Sequence, residues 1–351
     1  MPYDALSLLG SPIKHRLNLR GTMLLAVALL ITAFPCTFAR ADQQILRLGQ
    51  TSPYNFLVFA NADLQRAVPA SRAVLLIHGV QRNADDYYRN GLGLLEKAGL
   101  DTSDTLLLAP NFLNEADRRA GADMPLWPRD KWMHGTDSEK GRPGIAAFSV
   151  LDDLLSYLAN RRRFPAMREI VLIGHSAGGQ LMQRYSILGD GDERLADSGI
   201  GVRYVVSSPS SYVYFEDSRL QDGTFKPVRT IMCPSFSRYR YGLDRAPFYL
   251  TRQGLGPEQL FRRYARRDVT FMVGERDNDS GNRVMDRTCG ANMQGAHRVE
   301  RQLNFVRYEA FLSEKWDVPI HHPQFQVAGI GHNAARLFAS ETVARALFPT
   351  H

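Results

Sequence analysis

The sequence predicts an α/β fold: a mostly parallel sheet of roughly eight strands, helices on both faces and a lid-like insertion. Three observations carry this expectation. Short apolar runs bounded by turn residues recur along the chain, amphipathic stretches stand between them, and one run passes through a glycine-rich turn straight into a helical pattern.

In chain order, Ile45 to Leu48 and Tyr54 to Phe59 read as an opening antiparallel pair. Ala73 to Ile77 is a continuous apolar run of the kind buried on both faces of a parallel sheet. Leu106 to Ala109, Ile170 to Ile173, Val202 to Val206, Val269 to Val273 and Phe325 to Ala328 repeat that pattern. Helices are expected over Asp85 to Lys97, Val150 to Asn160, Gln180 to Leu188 and Ala334 to Leu347. In the second of these, Val150, Leu151, Leu154, Leu155 and Leu158 share one face, as a helix packed on a sheet requires. Asn111 to Ile145 and Ser207 to Leu260 fit neither pattern, and irregular stretches that long are usually functional or form small insertions. Both are expected over the carboxyl ends of the strands, with residues 207–268 as the candidate lid.

The composition is that of a globular chain: 351 residues, 44% hydrophobic and 23% charged, with three cysteines. It excludes a collagen, a disordered tail and a disulfide-stapled miniprotein. At the amino end, Lys14, His15, Arg16 and Arg20 precede the uncharged run Met23 to Phe34, followed by Ala39-Arg40-Ala41. This is the pattern of a secretory signal peptide cleaved after Ala41, with an apolar run too short to span a bilayer comfortably. The expectation is one domain over residues 42–351, exported to the periplasm or the medium, with no membrane anchor after cleavage. Losing residues 1–41 removes four basic residues and one acidic one, so the net charge falls from +7 to +4. The remaining arginine clusters, Arg161 to Arg163 and Arg262, Arg263, Arg266 and Arg267, read as solvated helix faces. No zinc-ligand spacing or nucleic-acid motif accompanies them, so no nucleic-acid partner is expected. Cys36 leaves with the signal, and Cys233 and Cys289 remain as an even pair in an oxidising compartment, which predicts a disulfide.

The chemistry concentrates at Gly174-His175-Ser176-Ala177-Gly178-Gly179, which follows Ile170 to Ile173 and precedes a helical pattern. A GxSxG sequence between strand and helix is a nucleophile elbow, a sharp turn that lifts a serine hydroxyl to a helix amino terminus. The glycines two residues to either side are needed because side chains there would collide with the adjoining strand and helix. A serine hydroxyl needs a base, and His332 supplies one on the loop Gly329-Ile330-Gly331 after the last strand. An orienting carboxylate is expected from Asp277, on the loop after Val269 to Val273, with Glu275 and Asp279 as neighbouring alternatives. His321 and His322 precede the last strand and fall at its opposite end. Two backbone N–H groups complete an oxyanion hole: Ala177, next to the nucleophile, and Val80, after Ile77-His78-Gly79.

Two other patterns are coincidental. Gly329-Ile330-Gly331-His332-Asn333-Ala334 imitates a dinucleotide fingerprint, but only 17 residues follow, too few to carry a further strand with the ribose-binding acid. Asp277-Asn278-Asp279-Ser280-Gly281 imitates a calcium loop whose glycine comes one position early and whose bidentate glutamate is missing. No metal and no cofactor is expected.

Together, the elbow at Ser176, Asp277, His332 and the Val80 loop resemble the α/β-hydrolase superfamily over nearly all of residues 42–351. Gly174 to Gln180, Ser208-Pro209-Ser210-Ser211-Tyr212, and Cys289 with Gln294-Gly295 look like a poorly characterised group of exported hydrolases. The resemblance implies acyl transfer to water through an acyl-enzyme at Ser176, and the superfamily spans esterases, lipases, peptidases and thioesterases. Tyr212 and Tyr214 stand where a substrate pocket often begins and read equally as pocket lining or lid core; Trp127 and Trp132 raise the same question. The stretch is rich in Arg and Tyr, which favours a soluble or polymer-derived ester over a large lipid. The alternatives are a binding protein that keeps the fold without the chemistry, and an acyltransferase or peptidase using the same residues.

Overall fold

The computed structural model describes residues 42–228 and 231–349, so the expected signal segment 1–41 lies outside the described residues. Eight strands form the main sheet: β1 (Asp42–Leu48), β2 (Tyr54–Ala60), β3 (Arg72–Ile77), β4 (Thr105–Pro110), β5 (Glu169–His175), β6 (Gly201–Ser207), β7 (Asp268–Gly274) and β8 (Gln324–Val327). Their order across the sheet is β1-β2-β4-β3-β5-β6-β7-β8. β1 pairs antiparallel with β2, and β2 antiparallel with β4; every later pairing is parallel.

The central strands are apolar on both faces because both faces are covered. Leu75 and Ile77 of β3 with Ile170 and Leu172 of β5 point into one core, shared with α2 (Ala147–Leu158), α3 (Ala177–Leu188), α4 (Pro257–Tyr264) and α5 (Arg298–Trp316). Their neighbours Val74, Leu76, Val171 and Ile173 point into the other, shared with α1 (Ala84–Lys97), α6 (Ala334–Phe338) and α7 (Glu341–Leu347). That alternation is the period of two of a β-strand.

Three differences from the sequence expectation have physical reasons. The expected helix from Ala334 to Leu347 is two, because Ser340 takes an extended conformation and starts α7 as its N-cap residue, with Glu341 in the first turn. Helix α5, 19 residues long, buries the stripe Phe305, Tyr308 and Leu312, but its apolar period is masked because Arg298, Arg301, Gln302, Asn304 and Glu309 are buried as well. The two irregular stretches also hold their own order. Residues 111–145 contain a short ribbon, Pro125–Leu126 paired with Lys140–Gly141, and a helical turn Lys131–His134. Residues 207–260 contain a second ribbon, Ser218–Gln221 paired with Thr224–Pro227. The latter stretch seals into the body: Tyr212, Val213, Tyr214 and Phe215 belong to the main core cluster. Cys233 and Cys289 are bonded, with Cα atoms 5.8 Å apart, and tie this stretch to the chain between β7 and α5. Among the described residues no helix is long and apolar enough to cross a membrane.

Candidate active site

β5 ends at His175 and α3 begins at Ala177, so Ser176 carries the whole turn, at φ 59° and ψ −114°. A non-glycine residue rarely adopts such a positive φ, and the surroundings force it. A Cβ on Gly174 would lie 2.1 Å from the Gly178 carbonyl oxygen, and one on Gly178 would lie 2.5 Å from that of Ile77. On Gly179 it would lie 2.3 Å from the carbonyl oxygen of Ser207 on β6. The glycines therefore let α3 start against the ends of three strands.

His332 follows β8 and Asp277 follows β7. The Ser176 hydroxyl lies 2.9 Å from His332 Nε2, and His332 Nδ1 lies 2.7 Å from Asp277 Oδ2. Since Nδ1 faces a carboxylate, that nitrogen carries the proton and Nε2 is left as an acceptor for the hydroxyl. The neighbouring acids are engaged elsewhere: Glu275 accepts from the Gly329 N–H and Asp279 from the Gly281 N–H. His322 meets the Arg267 carbonyl through Nε2 and the Glu309 carboxylate through Nδ1, away from Ser176.

Arg298, which no sequence pattern announces, donates from Nη1 to Asp277 Oδ1 at 3.1 Å. Burial raises the Asp277 carboxyl, but His332 and Arg298 outweigh it and hold the group below its ordinary value. His175, inside the elbow itself, also belongs to the site. Its ring stacks on His332 with centroids 4.9 Å apart, and its Nδ1 meets the Tyr87 hydroxyl at 2.9 Å. Burial keeps it neutral, helped by His332 and Arg298, so it forms an uncharged wall beside the imidazole of His332.

The loop after β3 is set by His78. Its Nε2 accepts from the Phe112 N–H at 3.0 Å, which leaves Nδ1 to donate to the Gly79 carbonyl at 2.8 Å. Burial lowers its pKa to about 4, so the ring is neutral near pH 7. With the Gly79 carbonyl held towards the ring, the trans peptide turns the Val80 N–H to the opposite side. Val80 lines the clefts on both sides of Ser176. Ala177 opens α3, so its N–H is one of the orphan donors of a helix start. Trp132 lies beneath this loop, stacked on Phe112 at 5.1 Å and edge-on to His78 at 4.7 Å, which answers the question of its role: it is core. Trp127 is equally buried.

Tyr212 and Tyr214 need correction as pocket residues. They are 0% and 1% exposed, and both pack on Phe305 of α5, Tyr212 stacked at 4.7 Å and Tyr214 edge-on at 5.4 Å. Pocket lining and core read alike in the sequence at these positions because Phe305, the ring they pack on, lies on a helix whose period polar residues mask. The same stretch reaches the cleft through Ser210 and Arg240 instead.

No family model matches the chain, and no curated protein matches it in sequence. Solved structures do. A poly(3-hydroxybutyrate) depolymerase from Bordetella parapertussis is 19% identical with a TM-score of 0.61, over 88% of this chain and 91% of that one. A poly(aspartic acid) hydrolase from Sphingomonas sp. KT-1 is 18% identical with a TM-score of 0.60, over 87% and 98%. At such identities the likeness is one of fold. With a mostly parallel eight-stranded sheet, helices on both faces and a serine on the turn after β5, the chain has the α/β-hydrolase fold.

Proposed function

We propose that the protein is a serine hydrolase cleaving carboxylic esters, with Ser176 as nucleophile, His332 as general base and Asp277 as the orienting carboxylate. The observation that carries this reading is the chain of contacts from the Ser176 hydroxyl to His332 at 2.9 Å and on to Asp277 at 2.7 Å, with the serine on a strained turn. Ser176 Oγ attacks the ester carbon as its proton passes to His332 Nε2. Asp277 stabilises the imidazolium that forms, and the N–H groups of Val80 and Ala177 receive the oxyanion. Collapse of the tetrahedral intermediate expels the alkoxide, which takes the proton from His332 and leaves an acyl-enzyme. Water, deprotonated by His332, then releases the acid and restores Ser176.

The substrate is a soluble or polymer-derived ester. The two structural neighbours are named for the hydrolysis of polymers, and the open clefts flanking Ser176 are compatible with a chain end. We further infer export, which the Cys233–Cys289 bond supports, since disulfides persist in oxidising compartments. The test is covalent labelling of residues 42–351 by a fluorophosphonate, with the adduct located by mass spectrometry. Labelling at Ser176 that vanishes in Ser176→Ala, together with a loss of ester turnover by more than about a thousandfold, is expected. A folded protein that takes no label, or a variant within about tenfold of the parent, would sink the reading.

A further inference from the structure

Two clefts meet at Ser176, and their linings differ. One, of about 470 Å³, is bordered by His332, Asn333, Tyr87, Asn83 and Asp86. The other, of about 340 Å³, is bordered by Ala177, Gln180, Met133 and three arginines, Arg240, Arg283 and Arg287. Val80, Ser176 and Val284 line both.

On the serine-hydrolase reading, on which this inference rests, the two clefts have different occupants. The general acid must reach the leaving oxygen, so the leaving group lies in the cleft that His332 lines. The acyl chain takes the other cleft, with its arginines.

The charges there do not cancel locally. The carboxylates of that cleft are Asp130 and Asp286. Asp286 is 3.2 Å from Arg240 and accepts hydrogen bonds from Tyr241 and Thr288, while Asp130 acts on Arg240 as well. Glu300 borders Arg287 on its outer side and accepts from the Ala296 N–H. Arg283 and Arg287, four residues apart on the loop between Asp277 and α5, have no carboxylate partner among the described residues. Arg283 and Arg287 are exposed at the rim of this cleft, and their guanidinium groups offer a planar, always-charged fork to an anion that reaches past Met133 and Met285, an attraction that salt screens.

We propose that the acyl subsite takes an acid with a second, free carboxylate, held by Arg283 and Arg287. The acyl group is then that of a dicarboxylic acid or of a carboxyl-terminated oligomer, and a neutral fatty acyl group of the same length is the poorer substrate.

Two esters test this: mono(4-nitrophenyl) adipate and 4-nitrophenyl hexanoate, which differ only in the far carboxylate. The kcat/KM ratio of adipate to hexanoate is expected to be about tenfold in low salt, the effect of one charge-assisted contact, and to shrink as salt is added. In Arg283→Gln/Arg287→Gln the ratio falls to one or below, and because a ratio is read, a general loss of activity cancels. A second measurement removes the chemistry: calorimetric binding of monoethyl adipate to Ser176→Ala, lost when the two arginines are also replaced. A ratio at or below one in the parent enzyme, or one unmoved by the double substitution, overturns the subsite while leaving the hydrolase reading intact. Binding that depends on the two arginines without turnover of either ester would support the subsite and sink the hydrolase reading alone.

Discussion

Asp277 and Asp152 are both 3% exposed, and their surroundings drive them in opposite directions. Asp277 touches the imidazole of His332 and the guanidinium of Arg298, and its carboxyl sits below the ordinary value despite its burial. Asp152, on α2 at the far side of α3, is pushed up to about 6 by burial. The Tyr185 and Tyr249 hydroxyls donate to it at 2.7 Å and pull it down, Asp190 pushes it further up, and Arg194 acts from 3.7 Å. At Asp152 the two neutral hydroxyls and the distant Arg194 lower the carboxyl without outweighing its burial, whereas at Asp277 the direct contacts of His332 and Arg298 outweigh it. A perturbed carboxyl group therefore does not by itself mark a catalytic site. What separates the two is a histidine that in turn reaches the Ser176 hydroxyl.

The largest effect expected from this contrast lies in paired substitutions. Asp277→Asn removes the charge that fixes the His332 tautomer and should lower kcat by about ten-thousandfold with the fold intact. Asp152→Asn, equally buried, should leave kcat within about twofold, because nothing links it to Ser176. Steady-state turnover of one ester by both variants, with circular dichroism as the check on folding, measures the difference. Comparable losses in the two would erase the distinction.

A smaller effect should follow from Arg298. Arg298→Met leaves Asp277 with His332 alone and frees the Val284 carbonyl that Arg298 Nη2 also holds at 3.1 Å. A misplaced orienting group costs about tenfold to a hundredfold in kcat/KM. A purely structural role would stop there. Loss of the guanidinium also removes a positive charge beside the hydrogen-bonded Asp277–His332 pair, so the acid limb of the kcat/KM profile, which reports that pair, should move to higher pH, and Arg298→Lys should restore part of that shift. An unmoved limb would reduce Arg298 to packing.

The same contrast explains what was legible in the sequence. Ser176, His332 and Asp277 each stand on a loop just after a parallel strand, and the strands announce themselves as apolar runs such as Ile170 to Ile173. The turns carry their own glycine signals. Nothing comparable announces Arg298. Its helix buries arginine, glutamine, asparagine and glutamate along with Phe305 and Tyr308, so its periodicity is blurred, and the carboxylate it serves is 21 residues earlier. Tyr212 and Tyr214 shared that fate from the other side: their aromatic character was plain, but the ring they pack on, Phe305, belongs to the unseen helix. His78 was visible as part of a turn, whereas its role needs Phe112, 34 residues away, to fix its tautomer.

The last and smallest consequence is a pair of opposite pH slopes in stability. The folded-state pKa of Asp152 lies at about 6, above the ordinary aspartate value of about 3.9 in an unfolded chain, so the folded protein binds more protons between those limits. Its contribution is fully present below about pH 4 and is lost as the pH rises through about 6, a change on the order of 3 kcal/mol. Asp277 runs the other way: its folded-state value is depressed, so its contribution is present above about pH 4 and is lost as the pH falls below that. Asp152→Asn mimics the protonated form and keeps an oxygen to accept from Tyr185 and Tyr249. Urea denaturation from pH 4 to 7 should therefore show a smaller decline with rising pH in Asp152→Asn than in the parent, and the variant should be the more stable of the two at pH 7. Parallel curves for the two proteins would mean that the tyrosines hold Asp152 charged after all, and that cationic partners are not what sets Asp277 apart.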